Sequence, residues 1–263
     1  MNKLTERFHR LKENGEKAFV AYIMGGDGGM ERLKEDIFSL QASGADVIEV
    51  GVPFSDPVAD GPVIQDAGLR ALEAGTTLST ILETLRVIKA QVRVPLILMT
   101  YINPVLQYGV DKFALDSENA GVSGCIFPDL PLEEEGLVTG ALSKTDISVI
   151  RLASLTSPEE RLKRLAEDSE GFIYAVTVKG VTGERAELNA AELEAKISKL
   201  KTYTNTPVLA GFGISTPSLA KKVLPFCDGV IVGSKIVNAF HQGKREEVDE
   251  LIKGIKGLAL TVK

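Results

Sequence analysis

Residues 48–61 read IEVGVPFSDPVADG. Val47, Ile48 and Val50 make a short apolar strand with Glu49 in its middle, and the loop beyond adds Asp56 and Asp60. Side chains alternate along a strand, so Ile48 and Val50 share one face while Val47, Glu49 and Gly51 share the other. If helices pack on the apolar face, Glu49 turns inward, and an inward carboxylate costs several kcal/mol unless it is paired or does chemistry. Which of these holds depends on the architecture, and that is read from the rest of the chain.

The rest of the chain follows the same plan. Eight strand candidates occur, at 19–24, 46–50, 95–101, 124–127, 147–152, 171–176, 207–212 and 228–233. Between them, apolar residues recur at three- and four-residue spacing: Leu33, Ile37 and Leu40; Ile81, Leu82, Leu85 and Ile88; Leu162 and Leu165; Leu193, Ile197 and Leu200; Val248, Leu251, Ile252 and Ile255. That is the stripe of an amphipathic helix. Leu4, Phe8 and Leu11 mark a further one at the N-terminus. Eight strand–helix units in about 250 residues, with no Pro/Gly/Ser linker, predict one (β/α)8 TIM barrel domain over residues 1–263. An extra N-terminal helix and additional short helices in the loops complete it. An open doubly wound sheet would carry G-x-G-x-x-G after its first strand, and MGGDGG at 24–29 lacks that spacing.

Composition excludes several classes of function. Of the 263 residues, 44% are hydrophobic and the net charge is −6, which speaks against a nucleic-acid surface. No apolar run approaches the length of a membrane span, and MNKLTERFHRLKENGEK lacks the apolar core of a signal peptide. A cytoplasmic location is therefore expected. Cys125 and Cys227 sit in apolar runs and read as reduced core residues, and no Cys/His spacing suggests a metal. His9 and His241 have no nucleophile motif near them. Carboxylates are left as the acid–base groups.

Barrel enzymes build their sites at the C-terminal ends of the strands. Two of the connections there are long: 51–76, which holds Asp60 and a short helix starting near Pro62, and TVKGVTGERAEL at 177–188. Long glycine-bearing loops are candidate lids. At the barrel mouth desolvation would raise the pKa of Glu49 and let it exchange protons near neutrality. A glutamate tied to an arginine or to backbone amides would instead be structural. Asp60, in a more exposed context before Gly61, is expected to stay ionised and stabilise positive charge. GFGIST (211–216) and VGSKIV (232–237) each end a strand at a helix start. Ser215 or Thr216 precedes Pro217 in the first, and Ser234 is the expected N-cap of the second. Glycines there let a phosphate reach backbone N–H groups. EEE at 133–135 reads as a solvated helix start after Pro131.

IEVGVPFSDPVADGPVIQ resembles the signature of the tryptophan synthase α-subunit family, and the likeness runs along the chain through KAFVAYIMGGD, FPDLPLEE, GVTG, GFGIS and VGS. The resemblance implies a lyase that cleaves indole-3-glycerol phosphate to indole and glyceraldehyde 3-phosphate. It implies no cofactor of its own, with pyridoxal phosphate confined to a β subunit that receives the indole within an α2β2 complex. By the same resemblance Glu49 is the general acid–base and Asp60 stabilises the indolenine cation. Gly183, Gly213, Gly233 and Ser234 fall on phosphate-binding positions, and Tyr22, Ile64, Tyr101, Phe127 and Tyr174 line the pocket. Thr182 matches the lid residue that closes onto Asp60, while Pro53 and Asp56 belong to the loop facing the β subunit.

The sequence departs from the family pattern in two places. Gly28 stands where Pro is common, and Val178 and Lys179 stand where many members have Ser-Arg. An activating partner without turnover, another phosphosugar-binding barrel such as an isomerase, and a self-sufficient indole-3-glycerol phosphate lyase are the competing readings. The intact Glu49 and Asp60 oppose the first, and the 48–61 stretch opposes the second.

Overall fold

Nine parallel strands form one sheet in the computed structural model, which describes residues 2–176, 190–211 and 213–259. They are β1 (Ala18–Met24), β2 (Val47–Gly51), β3 (Leu96–Met99), β4 (Val122–Ile126), β5 (Ser148–Val149), β6 (Arg151–Ser154), β7 (Ile173–Val176), β8 (Val208–Gly211) and β9 (Gly229–Val232). Their order is β5-β4-β3-β2-β1-β9-β8-β7-β6. The two outermost members are pieces of one stretch, interrupted at Ile150, whose N–H still donates to the Cys125 carbonyl at 2.9 Å. β5 pairs with β4 and β6 with β7, so the sheet closes through that stretch. All eight sequence-predicted strands are present, the fifth one broken in two: this is the (β/α)8 barrel.

Each predicted helical stripe also forms: α1 (Lys3–Glu13), α2 (Met30–Ser43), α4 (Leu78–Ile88), α8 (Glu159–Glu167), α9 (Ala190–Lys201) and α12 (Arg245–Ala259). α3 (Pro62–Glu73) is the short helix foreseen near Pro62. Two helices not foreseen, α5 (Ile102–Tyr108) and α6 (Val110–Asn119), fill the connection between β3 and β4. The remaining helices are α7 (Gly136–Leu142), α10 (Pro217–Val223) and α11 (Ser234–His241). None among the described residues is long and apolar enough to cross a membrane.

Packing sorts the strand residues by parity, as the alternation rule requires. Ile48 and Val50 join Ile37, Leu40, Ile81 and Leu85 in the layer between sheet and helices. Val20, Val47, Ile97, Ile126, Leu209 and Ile231 point inward and pack together. α1 adds Leu4, Phe8 and Leu11 to this inner cluster, with the Phe8 ring 5.5 Å from that of Phe172. The helix thus stoppers the barrel at the N-terminal ends of the strands. Asn2 caps α1 by accepting from the Thr5 N–H, and its amide donates to the Asp146 carbonyl at 2.8 Å. Fully buried Asp46 binds the same floor together, accepting from the Phe19 N–H at 2.7 Å and pairing with Lys256 at 2.8 Å and with Arg7.

The MGGDGG turn is explained by its surroundings. Gly26 has φ +82°, and a Cβ there would meet Thr76 Oγ1 at 2.1 Å, so no larger residue fits. Asp27 beside it accepts two hydrogen bonds from Arg70 of α3, at 2.8 and 2.7 Å, tying the β1–α2 turn to the helix that follows Asp60. The EEE run differs from its reading. Leu132–Glu134 form a single 3-10 turn, and Glu135 is drawn inside to Arg151 at 2.6 Å, both side chains almost buried. Glu133, paired with Arg161, and Glu134 are exposed and keep the solvated character expected of all three.

Candidate active site

The open end of the barrel is occupied by Glu49. Register pairs it with Tyr22 of β1 on one side and Ile97 of β3 on the other, and Val47, two residues earlier, lies in the inner cluster. Glu49 therefore faces inward, as its strand parity predicts. It is 1% exposed, and neither carboxylate oxygen has a hydrogen-bond partner among the described residues. Buried polar groups are nearly always satisfied, so an orphaned carboxyl calls for a reason. The arginine or amide clamp of a structural glutamate is absent among the described residues. Burial, and secondarily the charge of Asp60, push its pKa from an ordinary 4.5 to about 8.

Asp60 is less exposed than its sequence context suggested, at 8%. Burial raises it from 3.8 to about 6, and a hydrogen bond from the Tyr101 hydroxyl holds it lower than burial alone would. Tyr101 thus accounts for part of the contrast between the two carboxyls. Its hydroxyl also accepts from the Ala59 N–H at 3.0 Å, and its ring stacks on Phe54 at 5.2 Å. Phe54 and Ala59 belong to the loop that carries Asp56. Tyr101 consequently fastens that loop to the acid at its end. Within the loop Pro53 is buried, whereas Asp56 is at the surface and Val58 is 72% exposed.

Tyr22 and Ile64 pack together at the mouth with Met24, Ala67, Ala71 and Val237. Tyr174 projects inward from β7, where burial and both carboxylates raise its pKa. Phe127 is not brought to this group. Its ring sits edge-on to Phe113 in the layer outside the sheet, centroids 6.2 Å apart.

Two glycines that sequence reasoning passed over make room for the phenols. A Cβ on Gly51 would lie 2.1 Å from the Tyr22 hydroxyl, and one on Gly211 would lie 2.2 Å from the Tyr174 ring. The signal was legible in principle, because Gly51 stands two residues after Glu49 on the same face. Gly51→Ala is expected to lower stability by about 1–3 kcal/mol, the usual cost of overpacking. Urea denaturation of the two proteins measures it, and an unchanged midpoint would mean that the Tyr22 ring is free to swing aside.

Beyond β8 and β9 the glycine-bearing turns lie as foreseen. Gly213 has φ +78° and Thr216 caps α10 by accepting from the Leu219 N–H at 3.3 Å. At α11 the N-cap is Gly233, and Ser234 is the first helical residue rather than the cap. No side chain caps that end, which leaves first-turn N–H groups for a ligand. Thr182, Gly183, Val178 and Lys179 lie outside the described residues. Chemically, the mouth offers one carboxyl held protonated near neutrality, a second nearer to ionisation, and phenols beside them.

Comparison with known proteins fits this geometry. The sequence profile of the family described as tryptophan synthase alpha chain matches residues 8–260. The tryptophan synthase alpha chain of Bacillus cereus is 48% identical over 251 residues, covering 95% of this chain and 97% of that one. The tryptophan synthase subunit alpha structure from Legionella pneumophila superposes with a TM-score of 0.89 at 35% identity, covering 98% of each chain. A chain of Mycobacterium tuberculosis tryptophan synthase gives 0.89 at 33% identity, again over 98% of each.

Proposed function

The chain belongs to the tryptophan synthase alpha chain family, and on that premise we propose that Glu49 and Asp60 carry its lyase reaction, the retro-aldol cleavage of indole-3-glycerol phosphate to indole and glyceraldehyde 3-phosphate. The observation that carries the assignment is the buried, unpartnered carboxyl of Glu49 beside Asp60 at the barrel mouth. Protonated Glu49 gives its proton to indole C3, which makes the ring an indolenine cation. Ionised Asp60 stabilises the positive charge on the ring nitrogen. Glu49, now a carboxylate, takes the proton of the glycerol hydroxyl on the adjoining carbon. The electrons of that O–H bond form the aldehyde, the carbon–carbon bond breaks, and its pair restores the aromatic ring. Glu49 ends protonated, ready for another cycle.

Gly213, Gly233 and Ser234, with Gly183, hold the phosphate in this reading. Tyr22, Ile64, Tyr101 and Tyr174 line the indole and glycerol part, with Thr182 closing over Asp60. The inward position of Tyr22 and Tyr174 and the hydrogen bond from Tyr101 to Asp60 support the lining roles, while the outer position of Phe127 supports no direct contact. The chain works with a β subunit, and an α2β2 assembly is the form we propose, with Pro53 and Asp56 on the facing loop. Pyridoxal phosphate would be held by the β subunit, and this chain's reaction needs only carboxyl chemistry.

The test is indole release by the purified chain, with and without a β subunit, as a function of pH. Activity requires Asp60 ionised and Glu49 protonated. It should rise as pH passes about 6 and fall as pH passes about 8. A rate that keeps climbing through pH 9 would overturn the assignment of Glu49 as the acid.

A further inference from the structure

Tyr22 reaches the mouth with a hydroxyl that has no hydrogen-bond partner among the described residues. The residue is 6% exposed, and among the described residues its hydroxyl makes no hydrogen bond, although Asp60, Glu49, Tyr101 and Tyr174 all act on it through space. The Tyr101 hydroxyl, by contrast, is committed to Ala59 and Asp60. Two polar groups therefore stand side by side without hydrogen-bond partners among the described residues: the fully buried Glu49 carboxyl and the phenol of Tyr22, its strand neighbour. A buried polar group left unsatisfied is destabilising, so the Glu49 carboxyl calls for a polar ligand, and the unbonded phenol beside it is free to donate to the same one.

Position says which part of the ligand. The Tyr22 hydroxyl lies over Gly51, 2.1 Å from where a Cβ would stand, hence one pleat further toward the mouth than Glu49 on the same strand face. On its other side, the Tyr22 Cβ is 3.5 Å from a Cβ built on Gly233. β1 lies between β2, which carries Glu49, and β9, which leads to Gly233. Two strand spacings separate those outer strands, about 10 Å. A short phosphoester chain gripped at Gly233 and reacting at Glu49 must cross the strand between them, and Tyr22 is the residue it crosses.

We propose that the Tyr22 hydroxyl is a substrate-positioning donor, hydrogen-bonding the glycerol oxygen whose proton Glu49 removes and so aligning the carbon–carbon bond for cleavage. This rests on the reading of Glu49 as acid–base and of Gly233 as part of the phosphate grip. Tyr22 transfers no proton. It donates to an oxygen that carries partial negative charge while its own proton leaves and before the carbonyl is complete, so the hydrogen bond is strongest in the transition state.

Tyr22→Phe keeps the ring and removes only the donor. For indole-3-glycerol phosphate, kcat should fall about 10–100-fold, toward the scale seen when a donor to a developing oxyanion is deleted, with a smaller change in KM. The analogue in which both glycerol hydroxyls are replaced by hydrogen, with indole and phosphate retained, should bind wild type and variant within about twofold, since it has no oxygen there for the phenol to hold. Wild-type kcat in the variant would overturn the proposal. Loss of analogue binding would also overturn it, by showing that the phenol only packs or that the site no longer folds. Failure of the wild-type protein itself to release indole would instead defeat the functional reading on which this stands.

Discussion

Glu49→Gln should release indole at least about 10²–10⁴-fold more slowly than wild type, the range for loss of a positioned acid–base. The upper end is expected, because in the proposed reaction one carboxyl both delivers the proton to carbon and collects the one from oxygen. Gln keeps the shape and cannot exchange protons, so binding of the deoxygenated analogue should survive. Stability should move the other way. The folded protein holds Glu49 protonated up to about pH 8, whereas the unfolded chain releases that proton near 4.5. The unfolded state therefore binds fewer protons between those values, and stability falls as pH rises through the window. Glutamine has no such term. The difference in Tm between variant and wild type should grow from pH 5 to pH 8 and then level off. Thermal unfolding across that range, beside an indole assay, tests both halves. Near-wild-type turnover would dismiss Glu49 as the acid, and a pH-independent Tm difference would mean that Glu49 is not held protonated in the fold.

Asp60→Asn is the second large effect. Removing a preorganised anion that faces developing positive charge should lower kcat/KM about 10²–10³-fold, by analogy with deleting one stabilising partner in a water-excluded site. The pH profile separates this from simple damage. The Asp60 charge raises Glu49, and Asp60 itself titrates near 6. In the asparagine variant the acid limb should vanish and the alkaline limb should shift below its wild-type position. A residual activity with both limbs unchanged would show that Asp60 supplies neither charge.

How much of this was legible in the sequence varies by residue. The barrel followed from strand length and helical spacing, because parallel strands buried on both faces leave short apolar runs that cannot be mistaken for surface hairpins. The direction of Glu49 followed from parity alone, confirmed by Ile48 and Val50 in the outer layer and Val47 in the inner one. Tertiary contacts decided what sequence could not. Asp60 is buried because the 52–61 loop folds back under Tyr101 and Phe54, and no local pattern announces such a fold-back. Glu135 looked like one of three equivalent acids, but its partner Arg151 is supplied by β6 from the next unit. Ser234 carries the right chemistry for a cap, yet the helix begins at it, one residue earlier than a capping serine there would require. Phe127 shows the limit of matching by position: it follows inward-facing Ile126 by one residue, so strand parity sends it outward.

The stopper at the barrel floor has a kinetic corollary. With Leu4, Phe8 and Leu11 wedged among the inner residues, the cylinder behaves as a cup rather than a pipe. Reactant and both fragments must share one rim, and the charged aldehyde and the oily heterocycle have to leave past the residues that admitted their parent. Entry and exit are thereby tied to one ring of residues, and any change at that ring acts on arrival and departure together.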